Sequence, residues 1–359
     1  MLANKPADRF DMTKKRINLI GIAKLAGVSR STAGHILNGK AKELRIAEET
    51  EKKVLEIASE HGYLRNRSVR QLHANKTFQI AFITTSEPDE IPGIPNPIAH
   101  MMDCLQKKGY QTLIINVDVT SHEISPIFSE RCFDGMVIFG TVPNQDFIVE
   151  WGKKHEIPHV FLHHDSASKN NVGIDEEKTA NELLNKLCAM GFSRIAFYSP
   201  RNVGLNALFP ADYIFSREKY LEKAIRLRGL KIYPNSVEQR KQNENAAEFL
   251  MRELPEPPEC VITSNLYHAM HFSQYLNETG KKSPEDVAIL TCAFDRLNAI
   301  CAPSMCGIDY DFRKMGEDLA EMILKRIKTG KECQNKLTPG KLITETKGIL
   351  LTSLNYKQQ

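Results

Sequence analysis

The chain has 359 residues, of which 42% are hydrophobic and 26% are charged, with 20 Gly and 17 Pro. This composition is typical of a globular protein and excludes a disordered chain or a collagen-like repeat. At roughly 100–200 residues per domain, the length predicts two or three folded units. The net charge of +4 is unevenly distributed, because residues 1–77 carry +8 and residues 78–359 carry −4. A basic N-terminal segment of this kind is suited to binding a polyanion.

The sequence shows no pattern of a secreted or membrane protein. Its first 16 residues lack the apolar stretch of a secretory signal, and no run approaches the ~20 apolar residues that span a bilayer. The eight cysteines form no C-x-x-C pair and are scattered through apolar segments, which favours reduced core residues over disulfides or a zinc site. We therefore expect a cytoplasmic protein with no membrane partner, no metal and no cofactor.

The first 77 residues show three short helical patterns, at 18–27, 29–38 and 47–61, without a strand between them. In the segment INLIGIAKLAGVSRSTAGHILNG (17–39), Gly27 stands where a chain leaves a helix and Ser29 is placed to cap the next helix. An ordinary helical hairpin is one interpretation. The absence of any acidic residue between Asp11 and Glu43 favours a DNA-binding helix-turn-helix. The predicted apolar face consists of Ile22, Ala23, Leu25, Ala26, Ala33, Ile36 and Leu37.

From residue 78 onward, short strand patterns alternate with amphipathic helical patterns. The predicted strands are 78–86, 110–118, 134–141, 158–164, 171–175, 194–200, 260–265, 286–292 and 305–311. The predicted helices are 97–109, 176–191, 216–229, 266–280 and 312–330. Such alternation indicates parallel βαβ units. Because about 280 residues exceed the needs of one open sheet, two doubly wound lobes are favoured, with their boundary near 171–175.

The helix-turn-helix segment resembles the N-terminal module of the lactose/galactose repressor (LacI/GalR) family, whose usual pattern is I-x-D-V-A-x-x-A-G-V-S-x-x-T-V-S-R-V-L-N. The matching residues are Ala23, Ala26, Gly27, Val28, Ser29, Thr32, Leu37 and Asn38. The chain departs from the pattern at Gly21 and at Ala33-Gly34-His35, and the loop after Asn38 is about three residues longer. Ala47 also replaces the usual serine N-cap of the third helix.

The resemblance implies an all-α helix-turn-helix DNA-binding domain at 16–65, followed by a hinge helix and linker at 66–77. It places Arg30, Ser31, Thr32 and His35 at the major groove, where Arg30 can donate two hydrogen bonds to guanine. The hinge segment, NRSVRQLHA, implies minor-groove contacts, with Leu72 as a wedge between base pairs. A lone apolar residue in a linker is the alternative for Leu72. The hinge contacts implied are Val69, Arg70 and Leu72.

The remainder, 78–359, resembles the effector-binding and dimerisation core of that family, an α/β periplasmic-binding-protein-like fold with two doubly wound parallel-sheet lobes. Asp134-Gly135 and Met315-Gly316 match its motifs. The resemblance implies that lobe 1 comprises about 78–171 and 305–335, and that lobe 2 comprises about 172–304 and 336–359. The implied effector-binding residues are Asn96, His164, Asp175, Arg217, Asn265 and Asp295.

Some of these effector assignments have structural alternatives. Arg217 could be a surface charge on a helix, and Asn265 could be a cap at a strand end. Where the family has an acidic sugar ligand, this chain reads Thr291-Cys292-Ala293-Phe294. An atypical ligand, or none, therefore stays open beside an ordinary carbohydrate.

Together, these patterns predict a sequence-specific transcriptional regulator, with a repressor favoured. It would bind a pseudo-palindromic operator as a homodimer under the control of a small-molecule effector, with a carbohydrate as the first candidate class. The alternative is a cytosolic small-molecule sensor whose front end no longer reads DNA. The nucleotide and hydrolase motifs of α/β folds are absent, so we expect no catalytic residues and no enzyme activity.

Overall fold

The protein comprises two compact units, Met1–Lys76 and Thr77–Gln359, which we call the N-terminal unit and the body. The structure is a computed structural model. It describes residues 17–63, 71, 74–85, 96–117, 126–130, 132–140, 142, 144–163, 169–199, 211–231, 233, 246–248, 250–251, 256–292, 306–343, 345–346 and 349–350. Within these ranges, no helix combines the length and the apolar character needed to cross a bilayer.

The N-terminal unit includes the helices α1 (Leu19–Ala26), α2 (Arg30–Leu37) and α3 (Glu48–Glu60). This confirms the predicted helices. Their small core includes the fully buried Ile22, Ala33 and Val54, one from each helix. Leu25 was predicted on the apolar face but is 51% exposed. At about 100° per residue, Leu25 lies roughly 60° around α1 from Ile22, on the side away from Ala23 and Ala26, and so at the edge of the buried face.

The turn between α1 and α2 follows from local chemistry. Gly27 adopts φ +71°, and its N–H donates to the Lys24 carbonyl at 3.3 Å. Ser29 then caps α2, because its hydroxyl accepts a hydrogen bond from the Thr32 N–H at 3.0 Å. At the start of α3, Ala47 offers no side-chain cap. Because Asn18 also caps α1, by accepting from the Gly21 N–H at 2.9 Å, α1 and α2 have side-chain caps and α3 has none.

The body contains two parallel-sheet layers. Its strands are β1 (Gln79–Thr84), β2 (Gln111–Asn116), β3 (Gly135–Phe139), β4 (His159–Leu162), β5 (Asn171–Ile174), β6 (Ile195–Tyr198), β7 (Cys260–Thr263), β8 (Ala288–Thr291), β9 (Cys306–Asp309), β10 (Lys336–Thr338), β11 (Lys341–Ile343), β12 (Glu345–Thr346) and β13 (Ile349–Leu350). Its helices are α4 (Asn96–Lys107), α5 (Gln145–Lys154), α6 (Glu176–Ala189), α7 (Ala211–Leu227), α8 (Ala246–Glu248), α9 (Leu266–Glu278) and α10 (Phe312–Thr329), with a 3-10 helix at Pro126–Ser129.

The first sheet, in lobe 1, has the order β10-β5-β4-β3-β1-β2, and the second, in lobe 2, has the order β11-β9-β8-β7-β6. Pairing is parallel throughout both sheets except for β11, which runs antiparallel to β9. The central strands β3, β4, β7 and β8 are entirely buried. Strands covered on both faces read as continuous apolar runs, which is why all nine predicted strands are confirmed.

Alternate residues of these strands enter different cores. Val137 of β3 and Ile262 of β7 belong to one hydrophobic cluster with members from both lobes. Their neighbours point to the opposite faces: Ile138 lies in a cluster of lobe 1 alone and Val261 in a cluster of lobe 2 alone. Each sheet is therefore packed on both sides.

The sheet membership corrects the predicted lobe bounds. Strand β5, most of which was predicted in lobe 2, pairs with β4 of the first sheet. Strand β9, predicted in lobe 1, pairs with β8 of the second sheet, and β10, predicted in lobe 2, pairs with β5 of the first. The chain thus crosses between the lobes three times, after β5, after β9 and after β10. A three-residue polar strand such as Lys336–Thr338 has no pattern that assigns it to a sheet.

Helices α10 and α4 approach most closely at Gly316. A Cβ atom at this position would lie 2.5 Å from the Pro97 carbonyl oxygen and 2.8 Å from the Met101 nitrogen. Glycine is therefore required by the contact between the two helix backbones. This contact accounts physically for the Met315-Gly316 motif.

Candidate DNA-binding surface and interlobe site

The candidate DNA-binding surface is the exposed side of α2. Arg30 and Ser31 are exposed in its first turn, and His35 is partly exposed one turn further on. Thr32 is partly exposed, and its hydroxyl lies 2.8 Å from the Ser29 hydroxyl. Thr32 therefore contributes to the helix cap as well as to this surface. The free N–H groups at a helix start also favour nearby phosphate.

The charges around α2 are arranged asymmetrically. Lys40 and Lys42, which follow α2, are exposed. Glu48 and Glu49, which begin α3, are exposed as well. The surface that would attract a polyanion therefore lies on the α2 side of the unit, and the start of α3 would repel one.

The loop between α2 and α3, three residues longer than the family pattern, forms an ordered turn. Leu44 N–H donates to the Lys40 carbonyl at 3.0 Å, and Ile46 N–H donates to the Ala41 carbonyl at 2.9 Å. Ala41 is 1% exposed and fixes the turn to the core. Sequence analysis recognised the extra length but not this anchor, which a single small apolar residue among charged ones could have suggested. The predicted hinge residues Val69, Arg70 and Leu72 lie outside the described residues.

In the body, Arg217 of α7 is a predicted effector-binding residue whose side chain is buried and held by several hydrogen bonds. It is 3% exposed and forms an ion pair with Glu176, which is 7% exposed. Its Nη2 donates to Glu176 Oε1 at 2.8 Å, and its Nε donates to the same oxygen at 3.1 Å. Its Nη1 donates to the Ser264 carbonyl at 3.1 Å. Arg217 is therefore not the surface charge considered as the alternative.

The surroundings of Arg217 come from both lobes. Its guanidinium lies 5.7 Å from the centre of the Tyr310 ring, and its positive charge acts on the Cys292 thiol. Burial raises the pKa of Cys292 to about 12, so the thiol is protonated at neutral pH. Burial lowers the pKa of His163 to about 3, and the charge of Arg217 acts in the same direction. His163 follows β4 of lobe 1, and Glu176, the ion-pair partner of Arg217, follows β5 of the same lobe, so Arg217 lies near the boundary between the lobes.

Two further predicted effector residues are helix caps. The Asp175 carboxylate accepts a hydrogen bond from the Lys178 N–H at 3.0 Å at the start of α6. The Asn265 side chain accepts one from the His268 N–H at 2.9 Å at the start of α9. Asn265 is thus the cap considered as its alternative. Each oxygen so engaged is less available to a ligand.

The remaining predicted effector-binding residues are Asn96, His164 and Asp295. Asn96 is the first residue of α4. His164 and Asp295 lie outside the described residues.

Sequence analysis missed two polar pairs at the carboxyl ends of β6 and β7. The Tyr198 hydroxyl lies 2.7 Å from His271 Nδ1, and the Ser264 hydroxyl is hydrogen-bonded to His268 Nδ1. Tyr198, Ser264 and His268 are at most 1% exposed. A serine four residues before a helical histidine was the available signal for the second pair.

Within the part of the chain that the structure describes, no three His, Cys, Asp or Glu residues are grouped so that they could hold a metal. The seven cysteines in those ranges are free thiols.

A capped helix-turn-helix joined to a two-lobed α/β body, with polar groups at the carboxyl ends of both sheets, defines the class of DNA-binding transcriptional regulators. Residues 18–66 match the model of bacterial regulatory proteins of the lacI family. Residues 184–345 match the periplasmic binding protein-like domain. The chain thus combines a lacI-type DNA-binding domain with a periplasmic binding protein-like domain.

Relatives over nearly the whole length agree with this assignment. The catabolite repressor/activator of Escherichia coli K12 is 25% identical over 350 residues, which cover 92% of this chain and 98% of the relative. The solved lac repressor dimer, bound to operator and the anti-inducer ONPF, has a TM-score of 0.73 at 18% identity and covers 93% of this chain and 100% of its own. A complex of the transcriptional regulator CelR with cellobiose has a TM-score of 0.60 at 19% identity, with coverage of 93% and 100%.

Proposed function

We propose that this chain is a cytoplasmic, non-enzymatic transcriptional repressor that binds a pseudo-palindromic operator as a homodimer. The observation that carries the proposal is the capped helix α2, which presents Arg30 and Ser31 to solvent beside exposed lysines. A solved relative of the same fold is a repressor dimer bound to operator. Two-fold symmetry of a protein dimer calls for two matching half-sites in the DNA.

In this proposal, α2 enters the major groove, where Arg30 donates to guanine and Ser31, Thr32 and His35 make the neighbouring contacts. The exposed lysines contact phosphates, which makes binding steeply dependent on salt. Val69, Arg70 and Leu72 would complete the interface from the minor groove.

Arg30→Ala tests whether α2 recognises a specific DNA base sequence. Genomic fragments are first selected on the full-length protein, and binding is then measured by electrophoretic shift at several salt concentrations. We expect a loss of about 1–3 kcal/mol on the selected site and a much smaller loss on random DNA. Lys53→Ala is the matched control, since it removes an exposed positive charge from α3 and should lower both affinities equally and slightly. Equal losses in Arg30→Ala on both DNAs would show that Arg30 contacts phosphate.

We further propose that a small molecule bound between the lobes controls the operator affinity. The support is the cluster of polar groups at the carboxyl ends of both sheets, the position at which open α/β sheets bind ligands. One relative of this fold is solved with cellobiose and another with an anti-inducer, so carbohydrates are the first class to test. A ligand acts only through different affinities for the two lobe arrangements. A carbohydrate panel that leaves both operator affinity and melting temperature unchanged would contradict this part.

A further inference from the structure

The charge of Arg217 is already neutralised within the protein. Two of its nitrogens donate to the Glu176 carboxylate at 2.8–3.2 Å, and the third donates to the Ser264 carbonyl at 3.1 Å. Both members of the ion pair are more than nine-tenths buried. We infer that Glu176 occupies the anion-binding edge of Arg217 and so closes the interlobe site to anionic ligands, leaving uncharged molecules as the effector class. This inference rests on the proposed control by a small molecule.

The position of the pair supports this reading. Glu176 begins α6 directly after the first crossing between the lobes, and Tyr310 follows β9 at the second crossing. Ser264 follows β7, and His163 follows β4. Arg217 therefore lies where the carboxyl ends of both sheets meet, which is where a ligand would bind. An arginine guanidinium at this position would bind a carboxylate or a phosphate group of a ligand if Glu176 did not occupy its hydrogen-bond donors.

The remaining described groups at these strand ends supply no compensating positive charge. His163, with its lowered pKa, is neutral at physiological pH, and Cys292 is a neutral thiol. The other residues described at these strand ends include no basic side chain: Asp175 and Asp309 are acidic, and Thr84, Thr85, Phe139, Gly140, Tyr198, Ser199, Ser264 and Thr291 are uncharged. An anion bound among these groups would be desolvated without a partner and would be close to the Glu176 carboxylate. A neutral polyhydroxylated molecule meets hydroxyl, imidazole and carbonyl groups with which it can form hydrogen bonds.

Glu176→Gln tests the inference, because the amide keeps an acceptor oxygen for Arg217 and removes the negative charge. The probes are glucose, glucose 6-phosphate and inorganic phosphate, and the readouts are the melting temperature of the full-length protein and titration calorimetry. We expect no site-specific response of the unmodified protein to either anion. Glu176→Gln should gain a saturable stabilisation by both anions, about 3 °C at ten times Kd.

Two controls separate this gain from other effects of charge. Glu177→Gln makes the same change in net charge at an adjacent carboxylate that is half-exposed and paired with Lys223 at 2.6 Å, and it should gain nothing. The double variant Glu176→Gln with Arg217→Gln should lose the gain, because the cation is gone. Anion binding to the basic N-terminal unit is common to all these proteins and cancels in the comparison.

Three outcomes would overturn the inference. The first is saturable anion binding to the unmodified protein that is absent from the double variant, and this outcome can be read even if Glu176→Gln does not fold. The second is an equal response of Glu176→Gln and Glu177→Gln, and the third is a folded Glu176→Gln variant with no response. If no neutral ligand binds the unmodified protein but Glu176→Gln gains the anion site, the proposed effector function fails while the role of Glu176 stands.

Discussion

Removing the cap of the recognition helix should destabilise the N-terminal unit by a measurable share of its total stability. Ser29 accepts the Thr32 N–H at 3.0 Å, and its hydroxyl is also 2.8 Å from that of Thr32. Ser29→Ala removes both contacts and leaves one helix-start N–H to water. The reciprocal change, Ala47→Ser, supplies the cap that α3 lacks, and its backbone at φ −59° and ψ 137° already has an extended ψ.

The magnitude follows from the size of the unit. An N-cap contributes about 1 kcal/mol, so Ser29→Ala should lose this amount and Ala47→Ser should gain a similar amount. The unit described at residues 17–63 spans 47 residues. At ~0.05–0.15 kcal/mol per residue, its stability is about 2–7 kcal/mol. One cap is therefore a large fraction of the total, and its loss raises the unfolded population about fivefold.

Native-state amide hydrogen exchange of the full-length protein is the appropriate assay, because it resolves the opening of α2 and α3 from that of the body. Protection in both helices should fall in Ser29→Ala and rise in Ala47→Ser. Ser59→Ala is the matched control, since this exposed serine lies near the end of α3 and has no capping role. Unchanged protection in Ser29→Ala, or a decrease in Ala47→Ser, would refute the assignment of the caps.

The remaining predictions concern the body and are tested by urea unfolding. Gly316→Ala places a Cβ 2.5 Å from the Pro97 carbonyl and should cost about 1–3 kcal/mol. Arg217→Met leaves the buried Glu176 carboxylate without its partner and should cost about 3–5 kcal/mol, most of which the added change Glu176→Gln should restore. Burial lowers the pKa of His159 to about 4 from 6.5. As the pH falls, the imidazole is therefore protonated at a higher pH in the unfolded chain than in the folded one. About 3 kcal/mol of stability present above pH 6.5 should be lost as the pH falls to 4. His159→Gln should reduce that loss.

Each of these three predictions has an outcome that would contradict it. Gly34→Ala, whose Cβ would meet only a Leu19 methyl at 3.7 Å, should not destabilise its helix, and an equal cost at both glycines would remove the packing argument for Gly316. A double-mutant coupling near zero between Arg217 and Glu176 would show that the ion pair is not maintained in solution. Identical pH profiles with and without His159 would assign the acid sensitivity to other groups.

The parts of this fold that sequence reasoning predicted are those determined by neighbouring residues. Gly27 and Ser29 specify the helix-turn-helix locally, and each buried central strand appears as a continuous apolar run. Helix α5 was not among the predicted helices, although its apolar residues Phe147, Ile148 and Trp151 are at helical spacing. Strand β10 was assigned to the wrong lobe because its three residues gain their sheet partner, β5, from more than 160 positions away.

The candidate site was predicted less well, for a related reason. Arg217 was singled out by its motif position, but its ion-pair partner Glu176 is 41 residues away and looks like an ordinary acidic residue in the first turn of a helix. No local pattern distinguishes it from the exposed Glu177 beside it. Only the packing of α6 against α7 turns one of these two carboxylates inward.

The crossing of β10 back to the first sheet also has a consequence for the order in which the chain can fold during synthesis. The sheet that begins at Gln79 receives its edge strand only when Lys336–Thr338 has left the ribosome. The N-terminal unit, in contrast, is a compact unit of residues 1–76 and can form early. For most of its translation, a nascent chain would therefore carry a folded DNA-binding unit ahead of a body that is still incomplete.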